Sequence, residues 1–249
     1  MKGLEGRRYL VCGGASGLGE ATAVRLHEEG ARVIVADRNL DAARDLAATL
    51  GDCEYFGYDQ GDPASITALL AAVSAAGELN GVALVAGVHP GTVPLDDVDP
   101  ATFRGVHDVN ALGILLSLQE AARVVAQDDR SSLVVVGSVA GIRPVARNAI
   151  YASSKASAQA ITRSVALELA GTGIRVNSIL PGSAITPLAI SQSSLEAIRA
   201  ESERVIPLRR AAEASEVASA ICFLLSDDAS YVTATDLIVD GGLAAGAAS

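Results

Sequence analysis

Apolar residues along this chain fall into two alternating patterns. Short, nearly continuous apolar runs predict buried strands, and the stretches between them carry apolar residues at helical spacing. The runs that predict strands are Arg7–Cys12, Arg32–Asp37, Glu54–Tyr58, Gly81–Ala86, Ser131–Gly137, Ile174–Leu180 and Asp236–Val239. The predicted helices are Gly17–Glu29, Leu40–Leu50, Ala64–Ala76, Pro100–Gln127, Ala149–Ala170 and Ala214–Leu225.

This alternation of strands and helices predicts the fold class. Strands that are apolar on both faces belong in a parallel sheet that helices cover on each side. No linker rich in Pro, Gly or Ser and no repeat of fixed period interrupts the pattern. We therefore expect one α/β domain over residues 1–249, with a doubly wound Rossmann-type fold and a mostly parallel sheet of about seven strands.

Composition and charge narrow the possible partners. Half of the 249 residues are hydrophobic and the formal net charge is −10. A large core is therefore available, and nucleic acid, anionic membranes and acidic carrier proteins are disfavoured as partners. No apolar run predicts a membrane helix. Cys12, Cys53 and Cys222 lack metal-ligand spacing, which predicts reduced thiols in a cytoplasmic protein and no metal site.

A glycine-rich turn lies between the first predicted strand and the first helix. In Gly13-x-x-x-Gly17-x-Gly19 the glycines allow a pyrophosphate to approach the backbone, and the helix N-terminus favours its charge. Asp37 ends the second strand, where a carboxylate accepts hydrogen bonds from an adenosine ribose and repels a 2′-phosphate. These features predict NAD rather than NADP, although Arg38 is able to turn toward a phosphate. A structural glycine turn and a helix-capping carboxylate are the alternative interpretations.

A second motif carries reactive side chains. Tyr151 and Lys155 are four residues apart on a predicted helix, so they share one face, where an ammonium group favours the phenolate. Ser138 follows an apolar run and is expected at the C-terminal end of a strand, where α/β sites form. Each feature alone is common in proteins. Their joint occurrence after the glycine turn predicts a catalytic site.

Together these segments resemble the single-domain branch of the short-chain dehydrogenase/reductase family over nearly the whole chain. The resemblance rests on the glycine turn, Ser138, Tyr151-x-x-x-Lys155, Asn110, Asp59, Arg175–Gly182 with Thr186, and Val239–Gly242. It implies dinucleotide contacts from Gly13, Ser16, Gly17, Leu18, Gly19, Asp37, Asp59, Gln60, Gly87, Tyr151, Lys155, Ala184 and Thr186.

The resemblance also implies the reaction, in which a secondary alcohol and a ketone are interconverted by hydride transfer with NAD(H). Tyr151 would be the general acid/base, and Ser138 would donate a hydrogen bond to the substrate oxygen. Lys155 would hold the nicotinamide ribose and, with the positive ring of NAD⁺, lower the pKa of Tyr151. Asn110 would anchor a water in a proton relay toward Lys155. Relatives usually form dimers that pair into tetramers, so a homotetramer is expected.

The sequence departs from the family pattern at four positions. Cys12 stands where relatives usually have threonine, and Leu84 and Val85 stand where they have two asparagines. Because both partners of an inter-strand hydrogen bond are replaced at once, we expect an apolar contact between Cys12 and Val85, within about 4.5 Å. Ala234 replaces a common glycine, with no consequence that the sequence reveals.

The sequence indicates the substrate less closely than it indicates the cofactor. Residues 187–207 are expected to form a lid, with Ala189, Ile190, Leu195 and Ile198 facing inward and Glu196, Arg199, Glu201, Glu203 and Arg204 facing solvent. His89 either lines the pocket or belongs to a surface loop. Arg143 and Arg147 either meet an anionic substrate or are solvated. A small to medium, mostly apolar ketone or secondary alcohol is the expected substrate.

Two other functions use the same motifs. An NADPH-dependent 3-ketoacyl reductase shares Asn110, Ser138, Tyr151 and Lys155, but Asp37 and the acidic net charge count against it. A non-catalytic dinucleotide-binding sensor or scaffold would use the same fold. Such proteins commonly lose the tyrosine or the lysine, and this chain keeps both.

Overall fold

The computed structural model describes residues 1–51 and 53–246. Its strands are β1 (Arg8–Cys12), β2 (Arg32–Asp37), β3 (Glu54–Gly57), β4 (Gly81–Leu84), β5 (Ser132–Val136), β6 (Arg175–Pro181), β7 (Ala184–Ile185), β8 (Ala212–Glu213) and β9 (Asp236–Val239). In the described part of the chain, seven of them form a parallel sheet in the order β3-β2-β1-β4-β5-β6-β9, and β7 pairs with β8. The strand order reverses between β1 and β4, which confirms the doubly wound fold and creates a crevice at their carboxyl ends.

Helices cover both faces of this sheet. They are α1 (Gly17–Glu28), α2 (Leu40–Thr49), α3 (Pro63–Ala75), α4 (Pro100–His107), α5 (Gly113–Val124), α6 (Ala149–Leu169), α7 (Pro187–Ile190), α8 (Leu195–Val205) and α9 (Ala214–Leu225). Within the described residues, none is both long and apolar enough to cross a membrane. Two of these helices, α7 and α8, make up most of the predicted lid segment, residues 187–207.

The prediction of one helix over Pro100–Gln127 is wrong in its continuity and its end. A π-helical segment, Asp108–Leu112, separates α4 from α5, and α5 ends at Val124. The interruption packs against the loop after β3: the Gln60 Nε2 donates to the carbonyl of Val109, and a Cβ at Gly113, directly after the segment, would lie 2.1 Å from the carbonyl oxygen of Gln60. After Val124 the chain is extended and forms a bridge to Leu79.

Two hydrophobic clusters lie on opposite faces of the sheet, because alternate residues of each strand point in opposite directions. One cluster joins Leu10, Leu84 and Val135 to α3, α5 and α6. The other joins Val11 and Val134 to α1, α2 and α9. The central strands β1, β4, β5 and β6 are thus buried on both faces, and a site is able to form at their ends.

The expected contact between the side chains of Cys12 and Val85 is wrong. Cys12 belongs to the cluster with Leu84, whereas Val85 packs on the opposite face. The Cys12 thiol is buried, and this burial raises its pKa. β1 and β4 are joined instead through the backbone, because the Cys12 carbonyl accepts the N–H groups of Val85 and Ala86 at 2.9 and 3.0 Å. This turn also explains why β4 ends two residues before its predicted boundary.

Ala234, the position where relatives commonly have glycine, adopts a left-handed backbone conformation with φ of 58°. Its N–H donates to the carbonyl of Val176 at 2.9 Å, which ties the segment before β9 to β6. A Cβ is disfavoured in this conformation, so the usual glycine has a steric explanation.

Candidate active site

The glycine-rich turn is fixed by the backbones of two neighbouring strands. The N–H groups of Gly13 and Gly14 donate to the Ala36 carbonyl of β2 at 2.8 and 3.0 Å. Gly13 has φ of 76°, and a Cβ there would lie 2.6 Å from the nitrogen of Ala86. At Gly19 a Cβ would lie 1.9 Å from the carbonyl oxygen of Gly13. Both positions therefore require glycine, and the turn places the N-terminus of α1 at the sheet edge.

A cleft of about 390 Å³ opens beside this turn. Most of the predicted dinucleotide-binding residues lie in its walls: Gly13, Ser16, Gly17, Leu18, Asp37, Asp59, Gln60, Gly87 and Thr186. Gly19 lies behind the turn, and Ala184 lines the neighbouring cavity described below. The side chains of Tyr58, Val85, Val109 and Pro187 complete the walls and were not predicted from the sequence. A helix N-terminus, a close backbone approach and a carboxylate at the end of β2 fit a dinucleotide.

Asp37 supports the turn as well as lining the cleft. Its carboxylate accepts hydrogen bonds from the N–H groups of Ala15 and Asn39 at 3.1 and 3.0 Å. Arg38 lines the same cleft on the solvent side of Asp37. The end of β2 therefore presents one anionic and one cationic side chain, and the position of the carboxylate is fixed by the backbone of the glycine turn.

Gln60 is buried and shapes the cleft wall. Its Nε2 donates to the carbonyls of Ala86 and Val109 at 3.0 and 2.9 Å, and its Oε1 accepts from the Tyr58 hydroxyl at 3.2 Å. Tyr58 also hydrogen-bonds Ser117 at 2.8 Å. This network joins β3, β4 and the π-helical segment, so the side-chain amide of Gln60 is engaged within the protein.

Tyr151, Lys155 and Ser138 meet at the carboxyl end of β5. Tyr151 and Ser138 line the same cavity, and the Lys155 Nζ lies 5.8 Å from the centroid of the Tyr151 ring. The Ser138 hydroxyl also accepts from the N–H of Ala140 at 3.1 Å. Gln159 of α6 donates to the Ser138 carbonyl at 2.7 Å, which fixes the strand end against the helix. The structure thus brings the predicted serine, tyrosine and lysine together.

Burial controls the ionisation of this group. It raises the pKa of Tyr151, and the side chain of Ser138 opposes that rise. Burial also lowers the pKa of Lys155 to about 8, and its Nζ donates to the Val136 carbonyl at 2.9 Å. That Lys155, together with the positive nicotinamide ring of NAD⁺, lowers the pKa of Tyr151 stays a prediction.

Asn110 lies in the π-helical segment and is buried. Its amide bonds both backbone groups of Val88, with its Oδ1 accepting at 2.9 Å and its Nδ2 donating at 2.8 Å. The Nδ2 also donates to Ser154 of α6 at 3.1 Å. A Cβ at Gly87 would lie 3.3 Å from both Asn110 Oδ1 and Lys155 Nζ. Asn110 thus holds the chain after β4 against α6, directly beside Lys155.

A second cavity of about 750 Å³ adjoins the cleft and contains the reactive group. The two share Leu18, Val85, Gly87, Thr186 and Leu188 in their walls. From α7 and α8 the cavity takes Leu188, Ala189, Ile198, Glu201, Ser202 and Val205. The predicted inward position of Ala189 and Ile198 is confirmed. Ile190 is 47% exposed, so its predicted inward position is wrong. Glu201 is exposed, as predicted, and also lines the cavity.

His89 lines this cavity. Of its two interpretations, the one that places it in the pocket wall is therefore confirmed. Its ring centroid is 4.3 Å from that of Tyr151, with the planes tilted by 44°. Its Nδ1 accepts from the N–H of Gly91 at 3.0 Å. Burial, together with the charge of Lys155, lowers the pKa of His89.

The two arginines between Ser138 and Tyr151 differ. Arg143 lines the cavity and donates to the carbonyl of Leu243. Arg147 is exposed, with φ of 62°, and its carbonyl accepts from the N–H of Val93 at 2.9 Å. Arg143 therefore secures the C-terminal segment at the cavity mouth. Of the C-terminal residues 243–249, which are small and mostly apolar, 247–249 lie outside the described part.

Asn148 is a cavity-lining residue that the sequence did not reveal. It is the N-cap of α6 but makes no side-chain capping hydrogen bond, and its buried Oδ1 has no partner among the described residues. Its position three residues before Tyr151 is the signal that would have identified it, because such residues share a helix face.

Comparisons with known proteins agree with this geometry. The family model described as Enoyl-(Acyl carrier protein) reductase matches residues 13–244. The cis-4-hydroxycyclohexanecarboxylate dehydrogenase of Sinomonas cyclohexanicum is 37% identical, over 96% of this chain and 97% of that protein. The 2,5-dichloro-2,5-cyclohexadiene-1,4-diol dehydrogenase LinX of Sphingobium indicum is 33% identical, over 98% of each chain.

A solved structure shares the fold. The crystal structure of BdcA in complex with NADPH superposes with a TM-score of 0.87 and is 26% identical, covering 98% of this chain and 96% of that one. The family model, the relatives and the arrangement of Ser138, Tyr151 and Lys155 all lead to one assignment. The chain belongs to the short-chain dehydrogenase/reductase family.

Proposed function

We propose that this protein is an NAD(H)-dependent oxidoreductase that interconverts a secondary alcohol and a ketone, with Tyr151 as general acid/base. The coarser activity, oxidation and reduction at CH–OH groups, is that of its named relatives. The observation that carries the proposal is that Ser138, Tyr151 and Lys155 line one cavity, whose wall shares Gly87, beside Lys155, with the dinucleotide cleft. A proton donor and a hydride carrier must approach the same carbon–oxygen bond from these two sides.

The roles of the side chains follow from their positions. In ketone reduction, the Tyr151 hydroxyl gives its proton to the substrate oxygen as the carbon–oxygen double bond is reduced. Ser138 donates a hydrogen bond to the same oxygen and stabilises the charge that develops there. In alcohol oxidation Tyr151 takes the proton back. Lys155 supplies positive charge behind Tyr151, and Asn110 holds Gly87 and Val88 beside it.

A nicotinamide dinucleotide would supply or accept the hydride when bound. The glycine turn would hold its pyrophosphate, Asp37 its adenosine ribose, Lys155 its nicotinamide ribose, and Thr186 its carboxamide. The carboxylate of Asp37 at the end of β2 supports NAD over NADP, because it repels a 2′-phosphate. Loss of that discrimination in Asp37→Asn, measured as the ratio of kcat/KM for NAD⁺ and NADP⁺, is the expected result.

The substrate proposed for the second cavity is a cyclic secondary alcohol or its ketone. The volume of about 750 Å³ and walls that include Val85, Val145, Leu188 and Ile198 support a mostly apolar ring. The names of the relatives, a cyclohexadiene-diol dehydrogenase and a hydroxycyclohexanecarboxylate dehydrogenase, support the same class.

The test measures reduction of NAD⁺ and NADP⁺, side by side, across a panel of cyclic and open-chain secondary alcohols. Turnover with NAD⁺ that is lost in Tyr151→Phe is expected. Dinucleotide binding without turnover of any alcohol, or of any ketone in the reverse direction, would contradict the proposal and support a non-catalytic dinucleotide-binding protein.

One observation favours a second candidate, an NADPH-dependent 3-ketoacyl reductase. Arg38 lines the dinucleotide cleft, where a guanidinium group is able to bind a 2′-phosphate, and the neighbour BdcA is named with NADPH. Turnover confined to NADP(H), abolished by Arg38→Ala, would establish this alternative. The acidic net charge of −10 counts against an acidic carrier as its substrate partner.

We also propose a cytoplasmic homotetramer. The exposed apolar residues Phe103, Leu112 and Leu115 on α4, the π-helical segment and α5 support an interface there. Cys12 and Cys222 are buried in separate clusters, which supports reduced thiols. Light scattering with Leu115→Glu tests the interface, and a smaller assembly is the expected result.

A further inference from the structure

Two polar side chains that the mechanism does not use flank Tyr151 in the second cavity. His89 lies against one side of the Tyr151 ring, with centroids 4.3 Å apart. Asn148 precedes Tyr151 by three residues and therefore shares its helix face. Both line the cavity. They are positioned to contact a part of the substrate beside the reacting carbon.

The hydrogen bond at Nδ1 fixes what His89 offers to a ligand. Because Nδ1 accepts the Gly91 N–H at 3.0 Å, a neutral imidazole must carry its proton on Nε2. Burial and the charge of Lys155 both favour the neutral ring. Nε2 has no partner within residues 1–51 and 53–246. His89 therefore presents one unused N–H donor.

Asn148 offers the complementary group. Its Oδ1 is buried and unpaired, and the only other buried side-chain atom in this state among the described residues is Nε of Arg175. Buried amide oxygens are normally hydrogen-bonded. Rotation of the amide about χ2, toward the cavity that Asn148 lines, would give this oxygen a ligand hydroxyl as its donor.

We propose that His89 and Asn148 bind a second hydroxyl group on a cyclic substrate, so that the site prefers ring diols to simple ring alcohols. A hydroxyl accepts one hydrogen bond and donates another, which matches the donor of His89 and the acceptor of Asn148. A second carbonyl or a carboxylate would accept from His89 but leave Asn148 unpaired. This inference rests on the proposed function, whose reaction takes place at the other carbon–oxygen bond.

The experiment compares kcat/KM for cyclohexanol with that for cyclohexane-1,2-, 1,3- and 1,4-diols, in the cis and trans forms. At least one diol is expected to exceed cyclohexanol by about 10-fold or more, because a hydrogen-bonding pocket discriminates against an analogue that lacks the group. His89→Phe should reduce this ratio toward 1, and His89→Gln, which keeps an N–H donor, should restore part of it. Asn148→Ala should also reduce it. His27→Phe, an exposed histidine on α1, is the matched control and should keep the wild-type ratio.

The outcomes separate this inference from the proposed function. Turnover of cyclohexanol with no diol preferred, or a preference that survives in both His89→Phe and Asn148→Ala, would overturn the inference and leave the function intact. If no alcohol is turned over, the proposed function is wrong, and the inference is then tested by measuring binding alone. Saturation-transfer NMR on Tyr151→Phe should then show tighter binding of a diol than of cyclohexanol, with the difference lost on adding His89→Phe. Equal binding overturns it.

Discussion

The dinucleotide cleft and the substrate cavity adjoin each other but are built in different ways. The cleft is shaped by backbone: the carbonyl of Ala36 holds the glycine turn, and a Cβ at Gly13 or Gly19 would collide with main-chain atoms. The cavity is shaped by side chains from separate segments, including His89 after β4, Asn148 before α6 and Ile198 on α8. A backbone-built site tolerates few residue types, whereas a cavity lined by side chains allows many.

Because they are built differently, the cleft and the cavity contribute differently to ligand selection. The cleft fixes the class of ligand, and the cavity decides which molecule of a broad class reacts. Tyr151 and Lys155 line the cavity, and Lys155 lies beside Gly87, which the two regions share, so their proposed roles involve both. Substitutions in the two regions should therefore have different signatures, and those at the junction should affect chemistry most.

The largest effect is expected for Tyr151→Phe. Loss of the proton donor should reduce kcat by about 10³-fold, within the range for general acid–base catalysis. Dinucleotide binding, measured by NADH fluorescence, should change little, because the cleft is built from other residues. Tyr231→Phe, which alters a fully exposed tyrosine, is the control and should keep wild-type kcat. Equal loss of binding and turnover in Tyr151→Phe would break the distinction between the two regions.

The sequence predicted the backbone-built region better than the side-chain-built one. Strand ends and the glycine turn follow from local patterns, so Gly13, Asp37 and Ser138 were assigned to the right edge of the sheet. The position of Asn148 in the cavity was missed, and His89 was left undecided, because the path of a loop depends on tertiary packing.

Two failures have particular physical causes. The helix prediction across Asp108–Leu112 failed because apolar spacing does not distinguish an α-helix from a π-helical interruption, whose contacts are with Gln60 after β3 and Val88 after β4. The Cys12–Val85 contact failed because the backbone turns after β4, so Val85 faces the other side of the sheet. Both errors lie where a tertiary contact overrides local pattern.

The next largest effect is expected for Gly19→Ala. Its Cβ would lie 1.9 Å from the Gly13 carbonyl oxygen, so the turn must move. We expect dinucleotide affinity to fall by 100-fold or more, on the order of 3 kcal/mol, as measured by NADH titration. Gly105→Ala is the matched control, because Gly105 also lies in a helix, α4, but a Cβ there meets no atom within 4 Å. That variant should bind normally and unfold at a higher temperature.

A smaller effect is expected for Lys155→Met, which tests the burial of Lys155 between the cleft and the cavity through the pH dependence of the free energy of unfolding. The pKa of Lys155 falls from 10.5 to about 8 in the folded protein because of burial. Between pH 8 and pH 10.5 the unfolded chain binds the lysine proton more tightly than the folded protein does. Below about pH 8 the lysine is charged in both states, and its burial then reduces the free energy of unfolding by the full amount. This reduction disappears as the pH rises toward 10.5. The free energy of unfolding of the variant minus that of the wild type should therefore decrease by about 2–3 kcal/mol from pH 7 to pH 10.

Urea denaturation at several pH values measures this difference. Methionine is similar in length but loses the hydrogen bond to the Val136 carbonyl, so the change with pH, rather than the absolute value, is the readout. Taking the variant minus the wild type removes the contributions of Cys12 and Cys222, whose raised pKa values also affect stability above pH 9. A difference that stays constant over the range would mean that Lys155 is solvated by water in the cleft.

The smallest effect is expected for Ala234→Gly, which tests whether an unfavourable backbone conformation outside the cleft and the cavity affects stability. Ala234 has φ of 58°, which is unfavourable for a residue with a Cβ, and its N–H bond to Val176 holds the chain there. Glycine relieves the strain but gives the unfolded chain more freedom and removes a partly buried methyl group. We expect a net gain of about 0.5–1 kcal/mol in the free energy of unfolding, with unchanged kcat. Ala229→Gly, a buried alanine in a nearby turn with ordinary φ, should instead destabilise the protein, and equal losses at both positions would show that packing outweighs backbone strain.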